Sequence, residues 1–149
     1  MEKQTQQSNQ ESPAPLDVLI LAAGLGTRMR SQTAKVLHGL GGRPLIAHVC
    51  RTATALSPRS TYVIVGHQAE AVERAAREEL GEAGVVCVRQ EEQRGTGDAV
   101  MSARAHLADA NSTLLTLYGD LPLVRAETLA ALVHQHRTHR GRGAACTLL

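Results

Sequence analysis

Apolar and polar positions follow two different rhythms along this chain, and the switch between them recurs. Short unbroken apolar runs at Asp17 to Leu21, Thr61 to Val65, Val85 to Val88 and Thr113 to Leu117 read as strands buried on both faces. Between them lie longer stretches with apolar residues at helical spacing: Leu45 to Leu56, Gln68 to Leu80, Thr96 to Leu107 and Ala126 to His139. Pro44 is placed to open the first helix, where a missing N–H costs nothing, and Ser57 with Pro58 stops it. A final apolar run, Ala144 to Leu149, reads as one more strand. Strands alternating with helices predict an α/β domain: a mostly parallel sheet with right-handed crossovers and helices on both faces. The stretch from residue 1 to 15 is rich in Gln, Ser and Pro and is expected to be a disordered tail, leaving 16–149 as the domain. Because the last apolar run has no closing helix after it, the domain is expected to be incomplete at its carboxyl end.

Composition narrows the function classes. The chain has no Trp, no Phe and two Tyr, so its core must be packed from Leu, Val, Ile and Ala. An aromatic platform for single-stranded nucleic acid has almost nothing to be built from, so no nucleic-acid partner is expected. No apolar stretch reaches the roughly 18 residues of a membrane helix, and no membrane partner is expected. Cys50, Cys87 and Cys146 are widely spaced and odd in number, which points to reduced thiols and a cytoplasmic location.

In open parallel sheets ligands bind at the carboxyl ends of the strands, so the residues that follow each apolar run are the candidates. After the first run come Ala22, Ala23, Gly24, Leu25, Gly26, Thr27, Arg28 and Met29, a loop whose glycines let backbone N–H groups approach phosphate. A flexible turn with no ligand explains the glycines equally well. The loop is neither a Rossmann fingerprint, which needs a third glycine where Met29 stands, nor a Walker A loop. Arg28 offers a planar fork of donors to phosphate, and Lys35 a point charge. After the fourth run, Tyr118, Gly119 and Asp120 place a carboxylate at a strand end, where it can hold Mg2+ together with substrate phosphates or simply close a turn. After the third, Gln90 leads to Gly95 and Thr96 at a helix start. An amide there suits a base edge, while Thr96 as a plain helix cap is equally compatible. His134, His136 and His139, with Arg137, Arg140 and Arg142, read as a solvated helix end rather than a zinc site.

These segments together resemble a known family. Leu21, Gly24, Gly26, Thr27, Arg28 and Met29 match the opening signature L-x-x-G-x-G-T-R-M of the sugar nucleotidyltransferases. Lys35 to His38, Gly42 to Ile46, His48-Val49, Gln90 to Gly97 and the Tyr118-Gly119-Asp120 triplet are similar to the branch that transfers uridylyl groups to N-acetylglucosamine 1-phosphate and also carries an acetyltransferase domain. Leu25 and Ala34 stand where members often have Lys and Pro.

The resemblance implies a Rossmann-like fold of the nucleotide-diphospho-sugar transferase type. It implies UTP and a sugar 1-phosphate as partners, Mg2+ as cofactor, and UDP-N-acetylglucosamine and pyrophosphate as products. It further implies that Leu21, Ala22, Ala23 and Gly24 line the nucleotide, that Gln90, Gly95 and Thr96 contact the uracil side, and that Tyr118 and Gly119 border the nucleotide-sugar site. Arg28 and Lys35 are then the catalytic candidates facing phosphate, and Asp120 the metal ligand. A homotrimer is implied only where a carboxyl-terminal β-helix continues the chain. Transfer with another base or sugar, and a nucleotide-binding module without turnover, are the alternatives.

Overall fold

The computed structural model describes residues 13–24, 26, 31–92, 94–107, 111–139 and 146–148. Within these, four parallel strands form the main sheet: β1 (Leu16–Leu21), β4 (Ser60–Val65), β5 (Val86–Arg89) and β6 (Thr113–Tyr118), in the spatial order β5-β4-β1-β6. In register, Leu21 faces both Ile64 and Tyr118, so the carboxyl ends of the three neighbouring strands finish level with one another. β1 lies between β4 and β6, and the chain therefore leaves it on one side and comes back on the other. A crevice opens at the carboxyl ends where that reversal occurs.

The apolar runs conceal an alternation that only packing reveals. Val18 and Ile20 point to one face with Val63 and Val65, and there meet α1 (Leu45–Thr54) through Ile46, Val49 and Cys50. α2 (Ala69–Leu80) adds Val72 and Ala76 to this cluster, and α4 (Ala126–His139) adds Leu129 and Val133. Leu19 points to the other face, where Tyr62 and Ile64 pack on Ala99 and Ala103 in and after α3 (Thr96–Ser102). Val18, Leu19 and Ile20 are completely enclosed, and burying a side chain of this size contributes about 1.5–3 kcal/mol. Helices thus cover both faces, unequally: three on one and the short α3 on the other.

Two sequence expectations change in detail. The third helix ends at Ser102 and continues only as a 3-10 turn, Arg104–His106, short of Leu107. Pro44 caps α1 from outside, with ψ 149, rather than occupying its first turn. It belongs instead to a small antiparallel hairpin of β2 (Gly39–Leu40) and β3 (Arg43–Pro44), turned by Gly41 and Gly42, both at positive φ as a two-residue hairpin turn requires. Two residues per strand leave no periodicity to read.

The last expected strand is not formed where it is described. Residues 146–148 are irregular, and the Thr147 hydroxyl sits 3.0 Å from His136 Nδ1 on α4, so this stretch is held by a side chain of α4 and not by the ladder of β6. Residues 144, 145 and 149 lie outside the described residues, as do 1–12 of the expected tail. Ala14 and Pro15 are tied to the body: their carbonyls accept from Arg137 at 2.6 Å and from the Thr113 N–H at 2.8 Å. Among the described residues no helix is long and apolar enough to cross a membrane.

Candidate functional site

Backbone hydrogen bonds carry the sheet one residue past the ends of its strands and fix the first residues of the loops that follow. Ala22 N–H donates to the Ile64 carbonyl at 2.9 Å, Gln90 N–H to that of Val65 at 2.8 Å, and Gly119 N–H to that of Leu21 at 2.9 Å. Three loops from three strands are thereby held at the same edge. They enclose a cavity of about 390 Å³ lined by Leu21 to Gly24 and Gly26 from one loop, Gln90, Gly95 and Thr96 from another, and Tyr118 and Asp120 from the third.

Lys35 reaches this cavity from a different element. A 3-10 turn, Lys35–Leu37, is pinned on either side of the lysine by Ala34 and Val36, both buried, and the Ala34 N–H donates to Gln68 Oε1 at 2.7 Å. Lys35 between them faces outward with its side chain 42% exposed, and its ammonium donates to Asp120 Oδ2 at 2.5 Å. Gly26 packs directly on it. At φ +60 the position suits glycine, and a Cβ there would come within 2.9 Å of Lys35 Cβ. An ion pair this exposed adds only about 0–1 kcal/mol to stability. What it does is hold a cation and a carboxylate together at the cavity mouth.

Asp120 owes its position to Gly119, which is buried behind the cavity wall rather than lining it. A Cβ on Gly119 would lie 3.1 Å from each of Ile46 Cδ1, Leu21 O and Val36 Cγ1. Close approach of β6 to β1 at this point leaves no room for a side chain. Across the cavity, Gly95 at φ +111 turns the chain into α3 and serves as its cap. Thr96 is therefore the first helical residue and makes no side-chain capping bond, so the plain-cap explanation of Thr96 does not hold.

Of the residues singled out from sequence, Leu21, Ala22, Ala23, Gly24, Lys35, Gln90, Gly95, Thr96, Tyr118 and Asp120 meet around this one cavity, and Gly119 supports it. Arg28 lies outside the described residues, as does Leu25. Val36 and Ala99, also in the wall, were not singled out, because apolar residues at these places are indistinguishable in sequence from core. Nor was Asp98, which stands behind Gln90 and accepts a 2.7 Å hydrogen bond from its amide. Among the described residues no group of three or more His, Cys, Asp or Glu gathers to hold a metal. A hard divalent ion here would have Asp120 as its protein ligand and would take its remaining oxygens from a bound phosphate and water.

Residues 18–148 match the model of the MobA-like NTP transferase domain. The chain belongs to this family. Similarity to curated relatives is high over most of the chain. The bifunctional protein GlmU of Solibacter usitatus is 50% identical over 124 residues, covering 83% of this chain and 26% of that protein. The GlmU of Thiobacillus denitrificans is 54% identical over 117 residues, 78% of this chain and 24% of that protein. The chain thus spans about a quarter of the length of the curated relatives it matches. Among solved structures, a nucleotidyl transferase from Methanothermobacter thermautotroptrophicus superposes with a TM-score of 0.66 at 25% identity, covering 80% of this chain and 57% of that one. A UDP-glucose pyrophosphorylase complexed with UDP-glucose gives a TM-score of 0.67 at 17% identity over 85% of this chain and 55% of that one, a likeness of fold alone. The parallel sheet with flanking helices is the Rossmann-like architecture of these nucleotidyltransferases.

Proposed function

We propose that this chain supplies the nucleotide half of a uridylyltransferase that joins UTP to N-acetylglucosamine 1-phosphate, giving UDP-N-acetylglucosamine and pyrophosphate. One observation carries the reading: a glycine loop, a buried amide and a lysine–carboxylate pair, taken from four separate places in the sequence, converge on one cavity. About 50% identity to GlmU proteins supports the choice of uridine and of this acceptor.

In this reaction an oxygen of the sugar phosphate attacks the α-phosphorus of UTP; a new P–O bond forms as the bond to pyrophosphate breaks. No covalent nucleophile on the protein is required. The demand is to bring two polyanions into line and to neutralise the charge that builds on the leaving group. Leu21 to Gly24 would place the nucleoside against the strand ends, with Gln90, Gly95 and Thr96 on the base and Tyr118 beside the sugar. Lys35 would turn from Asp120 to the phosphates, and Arg28 is assigned the same task from its place in the motif. That exchange frees a carboxylate oxygen on Asp120 to hold Mg2+. When bound, the ion supplies positive charge at the phosphate oxygens. A cytoplasmic setting, where such nucleotides and reduced thiols are both found, belongs to the same reading.

Calorimetric titration with UTP, with and without Mg2+, tests the site, and pyrophosphate release in the presence of N-acetylglucosamine 1-phosphate tests the reaction. Binding should depend on Mg2+. Asp120→Asn should remove that dependence and lower any turnover about 100-fold or more, the scale of losing one aligned electrostatic contact. Magnesium-independent binding, or an Asp120→Asn protein that behaves as wild type, would sink the assignment. Binding without pyrophosphate release assigns the chain nucleotide binding alone.

A further inference from the structure

Gln90 is 5% exposed, and its backbone is bonded to β4, yet its side chain still reaches the cavity wall. Its amide nitrogen donates to Asp98 Oδ2 at 2.7 Å and, more weakly, to the Gly95 carbonyl at 3.4 Å. A carboxylate and a carbonyl are acceptors only. The nitrogen must therefore lie on their side, since the reversed amide would set its oxygen against two other oxygens. Gln90 Oε1 is left at the cavity wall with no donor among the described residues, an acceptor open to whatever occupies the cavity.

The geometry points to Asp98 as a positioning residue that selects the base: by locking the amide of Gln90 with its oxygen toward the cavity, it sets the site for a pyrimidine carrying an N–H at position 3. Uracil presents that donor. Cytosine has a bare ring nitrogen there, and its lone pair would face that of Oε1. Guanine also carries a ring N–H, but on a larger base. This inference rests on the cavity being the nucleotide site proposed above and adds the source of its base preference. Asp98 lies in the first turn of α3, where a carboxylate also suits the helix end. A helix-end role depends on charge, whereas locking the amide depends only on an acceptor, so the two can be separated.

The test is calorimetric titration of the 149-residue chain with UTP, CTP and GTP, each with Mg2+, for wild type, D98A and D98N. An acceptor facing an acceptor costs about tenfold or more in affinity, so wild type should prefer UTP over CTP by at least that factor and should bind GTP less tightly than UTP. D98A frees the amide to turn over, so the UTP to CTP ratio should collapse toward one, chiefly because CTP binds more tightly once the amide can offer it a donor. D98N keeps an oxygen for the Gln90 amide and should keep the wild-type ratio despite losing the charge. D98L, similar in shape to D98N but without an acceptor, gives the same readout as D98A if the alanine variant proves unfolded by circular dichroism. A D98A protein that binds UTP with the wild-type ratio overturns the role of Asp98 and leaves the nucleotide site standing, as does a wild-type ratio near one. D98N behaving as D98A, or both variants weakening UTP and CTP equally, assigns Asp98 to the helix end instead. Tighter binding of GTP than UTP overturns the pyrimidine assignment. Failure of wild type to bind any of the three overturns the nucleotide reading itself.

Discussion

Gly119→Ala adds one methyl group at a closely packed point of the site, hemmed in from three directions. The new carbon would meet Ile46 Cδ1, Val36 Cγ1 and the Leu21 carbonyl oxygen, each at 3.1 Å, where ordinary contacts lie at 3.4–4 Å. Every neighbour must retreat by a few tenths of an ångström, and none is free to. Ile46 is fully enclosed and Val36 nearly so, and the Leu21 carbonyl accepts the 2.9 Å bond from the Gly119 N–H that holds β6 beside β1. Overpacking a dense site costs about 1–3 kcal/mol and weakening one backbone bond about 0.5–1.5 kcal/mol, so about 1.5–4.5 kcal/mol in all is expected. With a urea slope of about 2 kcal/mol per molar, the unfolding midpoint should fall by about 1–2 M. Gly24→Ala is the control: it lies at the same strand ends, but nothing stands within 4 Å of the added carbon, and its φ is not in the left-handed region. Its midpoint should move by no more than about 0.5 kcal/mol in equivalent stability. Equal midpoints for the two variants would refute the packing argument, and with it the claim that β6 is wedged against β1 to aim Asp120.

Two further predictions concern the opposite end of the sheet and the core. Asp17, 1% exposed at the start of β1, accepts from Arg59 Nε at 3.0 Å and from a second guanidinium nitrogen at 2.5 Å; Arg59→Ala strands that carboxylate and should cost about 3–5 kcal/mol in denaturant unfolding, while a loss below 1 kcal/mol would mean that water reaches Asp17. Burial pushes the Cys50 thiol from its usual value near 9 up to about 12, with Glu79 and Cys87 adding to the effect. The folded protein thus keeps a proton that the unfolded chain releases, so stability should fall as pH rises from about 9 to 12, and a Cys50→Ala protein in reductant should show a shallower fall over that window. Identical slopes for the two proteins would remove Cys50 as the cause.

Elements with enough residues to express a period were legible in the sequence: four strands, four helices and their parallel alternation. The β2–β3 hairpin was not, since four paired residues carry no rhythm, and the third helix was read too long because Ala103 and Leu107 still fall on its apolar face after the helix has tightened into a 3-10 turn. The candidate site was legible wherever a residue follows directly on a strand, as Ala22, Gln90 and Gly119 do, because parallel strands all deliver their following residues to one edge. Sequence could not say which side chains meet there. Lys35 and Asp120 are 85 residues apart and touch only because two buried neighbours turn one outward while a glycine with no room for a side chain aims the other. Asp98 was invisible for a related reason: the direction of an amide is fixed by what stands behind it, and that is settled by the turn at Gly95 and not by any local pattern.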